Sequence, residues 1–311
     1  MTAAAPVARL PPEQAGALMR RATAASVAVG GTMVAATFLA WLASGSVSLL
    51  SSLLDSLLDA AAALVNLWAV RHAFAPADRE HRFGHGKAEP LASLGQAAFI
   101  AGSALFLLFE ALQRLLRPVE VTNIDLGVAV MVLGIVTAVA LVSYERHVVR
   151  RTGSLIIGAD ALHYRAHLVV NASVIVSLLL TRGPGWRTAD PICGAAIGIW
   201  IVFGAWQMAR QSVTQLMDRE LPDAERAQIR NIALSDPAVR AVHDLRTRAA
   251  GPNAFIQIHL EMDGAMTLAE AHRISDDVEA KLRAAFPYAD VLIHQDPEGV
   301  EEPRASFGTE A

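Results

Sequence analysis

A single cysteine, Cys193, is all the thiol this 311-residue chain carries. No intramolecular disulfide and no thiolate metal cluster can be built from it. Positive charge is also short: 26 Lys and Arg against 30 Asp and Glu give a net charge of −4, which leaves no electrostatic footprint for nucleic acid. Charged residues of both signs make up only 18%, where a soluble chain carries roughly 25%. The deficit is local, because residues 22–54 hold no charged side chain while residues 215–311 have an ordinary soluble composition. An H-E-x-x-H segment is missing, which removes the usual signature of a metal-dependent protease. Long repeats and low-complexity tracts are missing as well. The N-terminus has no basic-then-apolar segment ending in a small-residue cleavage site, so the first apolar run is expected to be a retained helix.

What the chain has in excess is apolar length: 53% hydrophobic residues and a mean hydropathy of +0.37. A helix needs about 20 apolar residues to cross a bilayer. Six stretches qualify, at 22–43, 47–71, 91–115, 125–146, 157–181 and 189–210. They are separated by Ser44-Gly45-Ser46, the charged stretch 76–90, Arg117-Pro118, Arg150 to Gly153, and Arg182 to Gly185. Asp125 and Asp190-Pro191 read as helix-start signals. Basic residues cluster on one side of the predicted spans: Arg9, Arg20 and Arg21, then Arg71, Arg79, Arg82 and Lys87, then Arg146, Arg150 and Arg151, and finally Arg210. The opposite loops hold only Arg114, Arg117, Arg182 and Arg187. The positive-inside rule therefore places both termini in the cytoplasm of a multi-pass protein of the cell (inner) membrane.

The C-terminal part reads as an α+β domain of order αββαβ. Residues 222–234 look helical, and 239–247 and 254–262 alternate and are joined by Gly251-Pro252-Asn253 as a hairpin. Residues 268–286 form an amphipathic helix and 290–294 a last strand. The expected organisation is a cytoplasmic segment at 1–20, a six-helix transmembrane domain at 21–211, a cytoplasmic metal-binding domain at 212–298, and a flexible tail at 299–311.

Chemistry concentrates in a few places. Asp55 and Asp59 stand at i,i+4 in the second apolar run, on one helical face. A charge at the centre of a membrane helix costs roughly 2.5–3.5 kcal/mol, so two adjacent carboxylates there point to a bound cation. The fifth run supplies His163 and His167 at i,i+4, with Asp160 one turn earlier. Two carboxylates and two imidazoles suit tetrahedral zinc and tolerate iron, and imidazole titrates near physiological pH. Asp78, His81 and His85 can form a partial metal site in the charged stretch, where the bland alternative is a solvated loop. In the α+β part lie His243, His259, His272 and His294, with Asp296 two residues past the last; two-residue spacing puts His294 and Asp296 on one side of a strand.

Taken together, Asp55-xxx-Asp59, the His81-x-Phe-Gly-His-Gly-Lys-Ala-Glu89 stretch, Asp160-xx-His163, Leu221-Pro-Asp223 and His243-Asp-Leu-Arg-Thr-Arg248 resemble the cation diffusion facilitators over about residues 15–298. The resemblance is greatest to the bacterial zinc/ferrous-iron efflux branch. It implies a homodimer of six-helix protomers in the lipid bilayer, a metallochaperone-like cytoplasmic domain, and proton antiport by alternating access. It further implies a transport site of Asp55, Asp59, His163 and the residue at 167, and a loop site of Asp78, His81 and His85. A cytoplasmic site, binuclear in relatives, would draw on His243, His259, His272, His294 and Asp296. The resemblance also implies an ion pair between Lys87 and Asp218. In one position the chain departs from the branch, whose fourth transport ligand is usually aspartate; here it is His167.

The expected function is thus proton-coupled export of a divalent transition metal, zinc or ferrous iron with cadmium a further possibility, with Zn2+ or Fe2+ as substrate and structural metal and protons as counter-ion. A metal-sensing or scaffold membrane protein with little transport is the alternative. A membrane metalloenzyme would need a general base beside its metal, and no motif supplies one.

Overall fold

The computed structural model describes residues 10–45, 47–116, 125–180, 189–251 and 253–299. The breaks expected at Arg117-Pro118 and at Arg182 to Gly185, together with Ser46, Pro252 and the tail past residue 299, lie outside the described residues. The chain divides into two compact units, at Leu216/Met217.

The first unit is helical: α1 (Pro12–Ser44), α2 (Val47–Ala73), α3 (Ala88–Leu116), α4 (Asp125–Thr152), α5 (Leu155–Leu180) and α6 (Ala189–Leu216). Helix α1 starts about ten residues before its apolar run. Pro12 opens it, Glu13 stands in the first turn, and Ala15, Met19 and Ala22 are buried along one face, so an amphipathic turn extends the span. It stops at Gly45, whose φ of +61° lets its N–H return to the Trp41 carbonyl at 2.8 Å. Helix α6 likewise runs six residues past the expected end at 210, and there the Ser212 hydroxyl donates to Ser93 of α3 at 3.0 Å.

Burial in this unit inverts the soluble rule. Ser26, Thr37, Asn66, Ser93, Gln96, Glu145, Asp160, His163 and Ser212 are buried, whereas Leu39, Trp68, Phe106, Val136, Ile199, Phe203 and Trp206 are exposed. Apolar side chains facing outward over this many turns require a non-aqueous surround. Among the described residues, five helices are long and apolar enough to cross a membrane: Glu13–Ser44, Leu49–Ala73, Ala88–Gln113, Ala129–Thr152 and Ile192–Leu216. Helix α5 carries Asp160, His163, Arg165 and His167 in its first half. Helices α1 and α2, α3 and α6, and α4 and α5 pack along each other. The α3–α6 approach needs Gly198, since a Cβ there would stand 2.7 Å from the Leu108 side chain.

The second unit is the expected αββαβ: α7 (Asp223–Ala233), β1 (Ala241–Ala250), β2 (Asn253–Met262), α8 (Leu268–Ala285) and β3 (Ala289–Pro297). The sheet order is β1-β2-β3, antiparallel then parallel. Strand β2 turns Ala254, Ile256, Ile258, Leu260 and Met262 to one face, where they join Ile229, Val278 and Leu282 of the two helices in a single core. Each fully buried aliphatic of this kind contributes about 1.5–3 kcal/mol. Helix α8 starts with a capping box: the Glu270 N–H donates to the Thr267 hydroxyl and the Thr267 N–H to the Glu270 carboxylate. Such a cap is worth roughly 1 kcal/mol. Because one face of β2 is spent on the core, its odd positions, Gln257, His259 and Glu261, face the helix-free side.

Candidate metal centres

Within the helical unit, α2 and α5 bring three of the four expected transport ligands together. Asp59 Oδ1 lies 3.1 Å from His163 Nε2 and Asp59 Oδ2 lies 3.3 Å from His167 Nε2. One donor atom from each residue falls within 4.8 Å of the others, a spacing that an ion with ~2.0–2.2 Å bonds can close. Each Asp59 oxygen thus faces one imidazole, and the two imidazoles sit edge to face with centroids 4.5 Å apart. His163 is buried and His167 half open. Asp55, one turn earlier on α2, is exposed and stands outside this group.

Asp160 turns away from the three. It is buried, accepts a hydrogen bond from the Asn66 side chain at 3.3 Å, and lies beside the equally buried Glu145. Arg165 lies over the Trp200 ring at 5.5 Å. That cation–π contact gives a membrane-depth guanidinium a partner on α6.

The loop joining α2 to α3 folds back on itself. The Glu80 and His81 N–H groups donate to Asp78 Oδ1 at 2.9 and 2.6 Å, an Asx-type turn. Gly84, at φ +79°, reverses the chain so that its N–H reaches the His81 carbonyl. As a result Asp78 meets His81 Nδ1 and His85 Nε2, each at 3.2 Å. All three expected loop ligands come together. The His81 N–H, with the Glu80 N–H and the His81 ring, holds the Asp78 carboxyl below the usual carboxylate range. Lys87 ends the loop with its ammonium donating to the Gln215 and Leu216 carbonyls at 2.6 and 3.5 Å, at the C-terminus of α6.

In the second unit the register aligns three histidines in one row across the sheet: His243 pairs with His259, and His259 with His294. Asp296, buried, lies one step along. Its Oδ2 stands 3.0 Å from His243 Nε2 and 2.9 Å from His259 Nδ1, and its Oδ1 stands 2.7 Å from His294 Nδ1. Burial works against ionising this carboxyl, but the His259 hydrogen bond and the three imidazoles hold it below its ordinary value. A carboxylate with both oxygens engaged by different imidazoles can bridge two ions. His272 is not brought into the row; it sits on the exposed side of α8, 3.6 Å from Asp276. Asp218 accepts from Arg248 at 3.2 Å within the same unit.

Two residues around this row escape sequence reasoning. Glu261 lies 2.8 Å from His243 Nδ1, on the ring nitrogen that does not face Asp296. Asp244, at φ +46° in the bulge between His243 and Arg246, places Oδ2 3.7 Å from His259 Nε2. Strand alternation could have found Glu261, two residues from His259. The bulge that aims Asp244 has no signal in the sequence.

Residues 23–217 match the cation efflux transmembrane domain, and residues 221–298 match the cytoplasmic domain of cation efflux proteins. The chain is similar to a cation-efflux pump FieF of Salmonella agona, 45% identical over 282 residues that cover 91% of this chain and 94% of the relative. It is similar to a cation-efflux pump FieF of Klebsiella pneumoniae, 46% identical over 285 residues covering 92% and 95%. The metal-bound C-terminal domain of the CzcD transporter from Thermotoga maritima is 28% identical, with a TM-score of 0.25 over 25% of this chain and 93% of that one.

Proposed function

Because the chain belongs to the cation efflux family, we propose that it exports zinc or ferrous iron from the cytoplasm in exchange for protons, by alternating access. The observation that carries the reading is the Asp59, His163 and His167 group, assembled from two helices rather than one. Neither α2 nor α5 holds the set alone, so moving one against the other takes the site apart and lowers its affinity on the far side. Asp55 joins as a fourth ligand when its turn of α2 comes in. Imidazoles bind metal only when neutral, so metal loading releases protons and proton loading releases metal. The test is zinc entry into proteoliposomes that hold a fluorescent zinc indicator, under an imposed pH gradient. Flux that follows the gradient and stops with a protonophore supports antiport. A wild type that binds zinc and moves none reduces the protein to a metal sensor or scaffold.

The same reading makes the protein a homodimer with both termini cytoplasmic, bringing the sheet faces that carry His243, His259, His294 and Asp296 together around zinc. His272, held apart from this row within one chain, then serves from the second copy. Zinc should therefore bring the two C-terminal units closer, read as rising energy transfer between dyes on paired protomers, and Asp296→Ala should abolish the change. Zinc-independent transfer would count against it. We also place Lys87 in an ion pair with Asp218. Lys87→Asp alone should then cut flux, and Lys87→Asp with Asp218→Lys should recover much of it; equal loss in both would remove the pair from the mechanism.

A further inference from the structure

We propose that His72, at the end of α2, is a fourth ligand of the loop metal site, which becomes a closed, four-coordinate structural site. The inference rests on the reading of Asp78, His81 and His85 as ligands. His85 is the middle of three imidazoles: its ring centre lies 4.6 Å from that of His81 and 4.5 Å from that of His72. Imidazoles sharing one tetrahedral zinc, with bonds of about 2.0–2.1 Å, have ring centres roughly 5 Å apart. The His72 ring therefore stands as close to His85 as the His81 ring does, although its nitrogens lie outside the 4.8 Å group formed by Asp78, His81 and His85. The His85 side chain is 7% exposed, its Nε2 faces Asp78, and its buried Nδ1 has no partner among the described residues. A buried polar atom without a partner is a costly exception, and an ion drawn between these rings would let His85 turn and resolve it.

His72 is also held in place. It stacks on Trp68, one turn back, with centroids 5.2 Å apart and planes 7° from parallel, so the ring has little rotamer freedom to lose on binding. Trp68, His72, His81 and His85 line one groove. Three imidazoles and one carboxylate make a filled four-coordinate set, the mark of a structural site, whereas a catalytic site keeps a position open. An ion there ties the end of α2 to the loop that leads into α3. The blander role for His72 is a basic side chain on a helix C-terminus, and that role predicts no effect on metal.

The test uses the full chain in detergent, in a background of Asp59→Ala and Asp296→Ala that removes the carboxylate shared by the imidazoles of each of the other two centres, with cobalt(II) and zinc as probes. His85→Ala should abolish loop binding. His72→Ala should weaken zinc more than the roughly ten-fold lower bound known for outer contacts, and should cut the intense visible absorption of tetrahedral cobalt. His72→Cys should restore affinity and add a near-ultraviolet thiolate-to-cobalt band that the parent, with Cys193 alone, lacks. If His85→Ala removes the site while His72→Ala leaves affinity or the cobalt spectrum unchanged, the fourth-ligand inference is overturned and the loop site stands. If His85→Ala leaves binding intact, the loop site itself falls.

Discussion

Asp59→Ala is expected to lower proton-driven zinc flux at least about a hundred-fold and to leave the protein folded. Removing a contact one shell out from a metal already costs roughly 10–100-fold, and Asp59 is the residue that both imidazoles share, one at each oxygen. Without it His163 and His167 remain on α5, and Asp55, which stands outside the group in this structure, is the one carboxylate left to α2. The stability prediction runs the other way. A carboxylate at membrane depth costs roughly 2.5–3.5 kcal/mol, and alanine carries no such cost, so thermal unfolding followed by size exclusion should show no loss. A site kept for function at the expense of stability behaves this way. A variant that transports at wild-type rate would detach the Asp59, His163 and His167 group from transport. One that aggregates would leave Asp59→Asn, which keeps the shape without the charge, to decide.

Hydropathy locates all six helices α1–α6, because an apolar run of the right length has few other uses. It misplaces their ends, since Pro12 to Met19 and the last turns of α6 are amphipathic and continue helices that a charge count would stop. Spacing pairs His163 with His167 and Asp55 with Asp59, yet helix periodicity cannot say that only Asp59 meets the imidazoles in this arrangement; that depends on how α2 is rotated against α5. The sheet shows the same divide. Alternation puts His294 and Asp296 on one side, but the row of His243, His259 and His294 depends on inter-strand register and a bulge at Asp244. His72 is the instructive miss. In sequence it lies six residues before Asp78, outside the His81 to Glu89 motif, and only the reversal at Gly84 returns His85 to it.

His167→Asp is expected to change what is carried and at which pH, rather than whether anything is carried. With Asp55, Asp59 and neutral histidines the native ligand set has a formal charge of about −2; aspartate at 167 makes it −3 and replaces a nitrogen donor with oxygen. Nitrogen-rich sets favour zinc, and oxygen-rich sets accommodate manganese and magnesium. The ratio of manganese to zinc flux should therefore rise by about ten-fold, equivalent to ~1.4 kcal/mol. The pH profile should move with it. A free imidazole protonates near pH 6.5 and a free aspartate near 3.9. Protons compete with metal for imidazole more readily than for carboxylate, and the native set carries two imidazoles, so its zinc flux should drop steeply with acid. The His167→Asp site carries one and keeps its carboxylates, so its flux should fall less steeply and persist further into acid. Both are read in the same liposomes with two metals and a series of lumen-matched buffers. Equal zinc and manganese flux in the native protein, or a native pH profile that stays flat from 7.5 to 5.5, would show that His167 touches neither the metal nor the protons. The half-open ring 3.3 Å from Asp59 would then be a bystander to a site centred on His163.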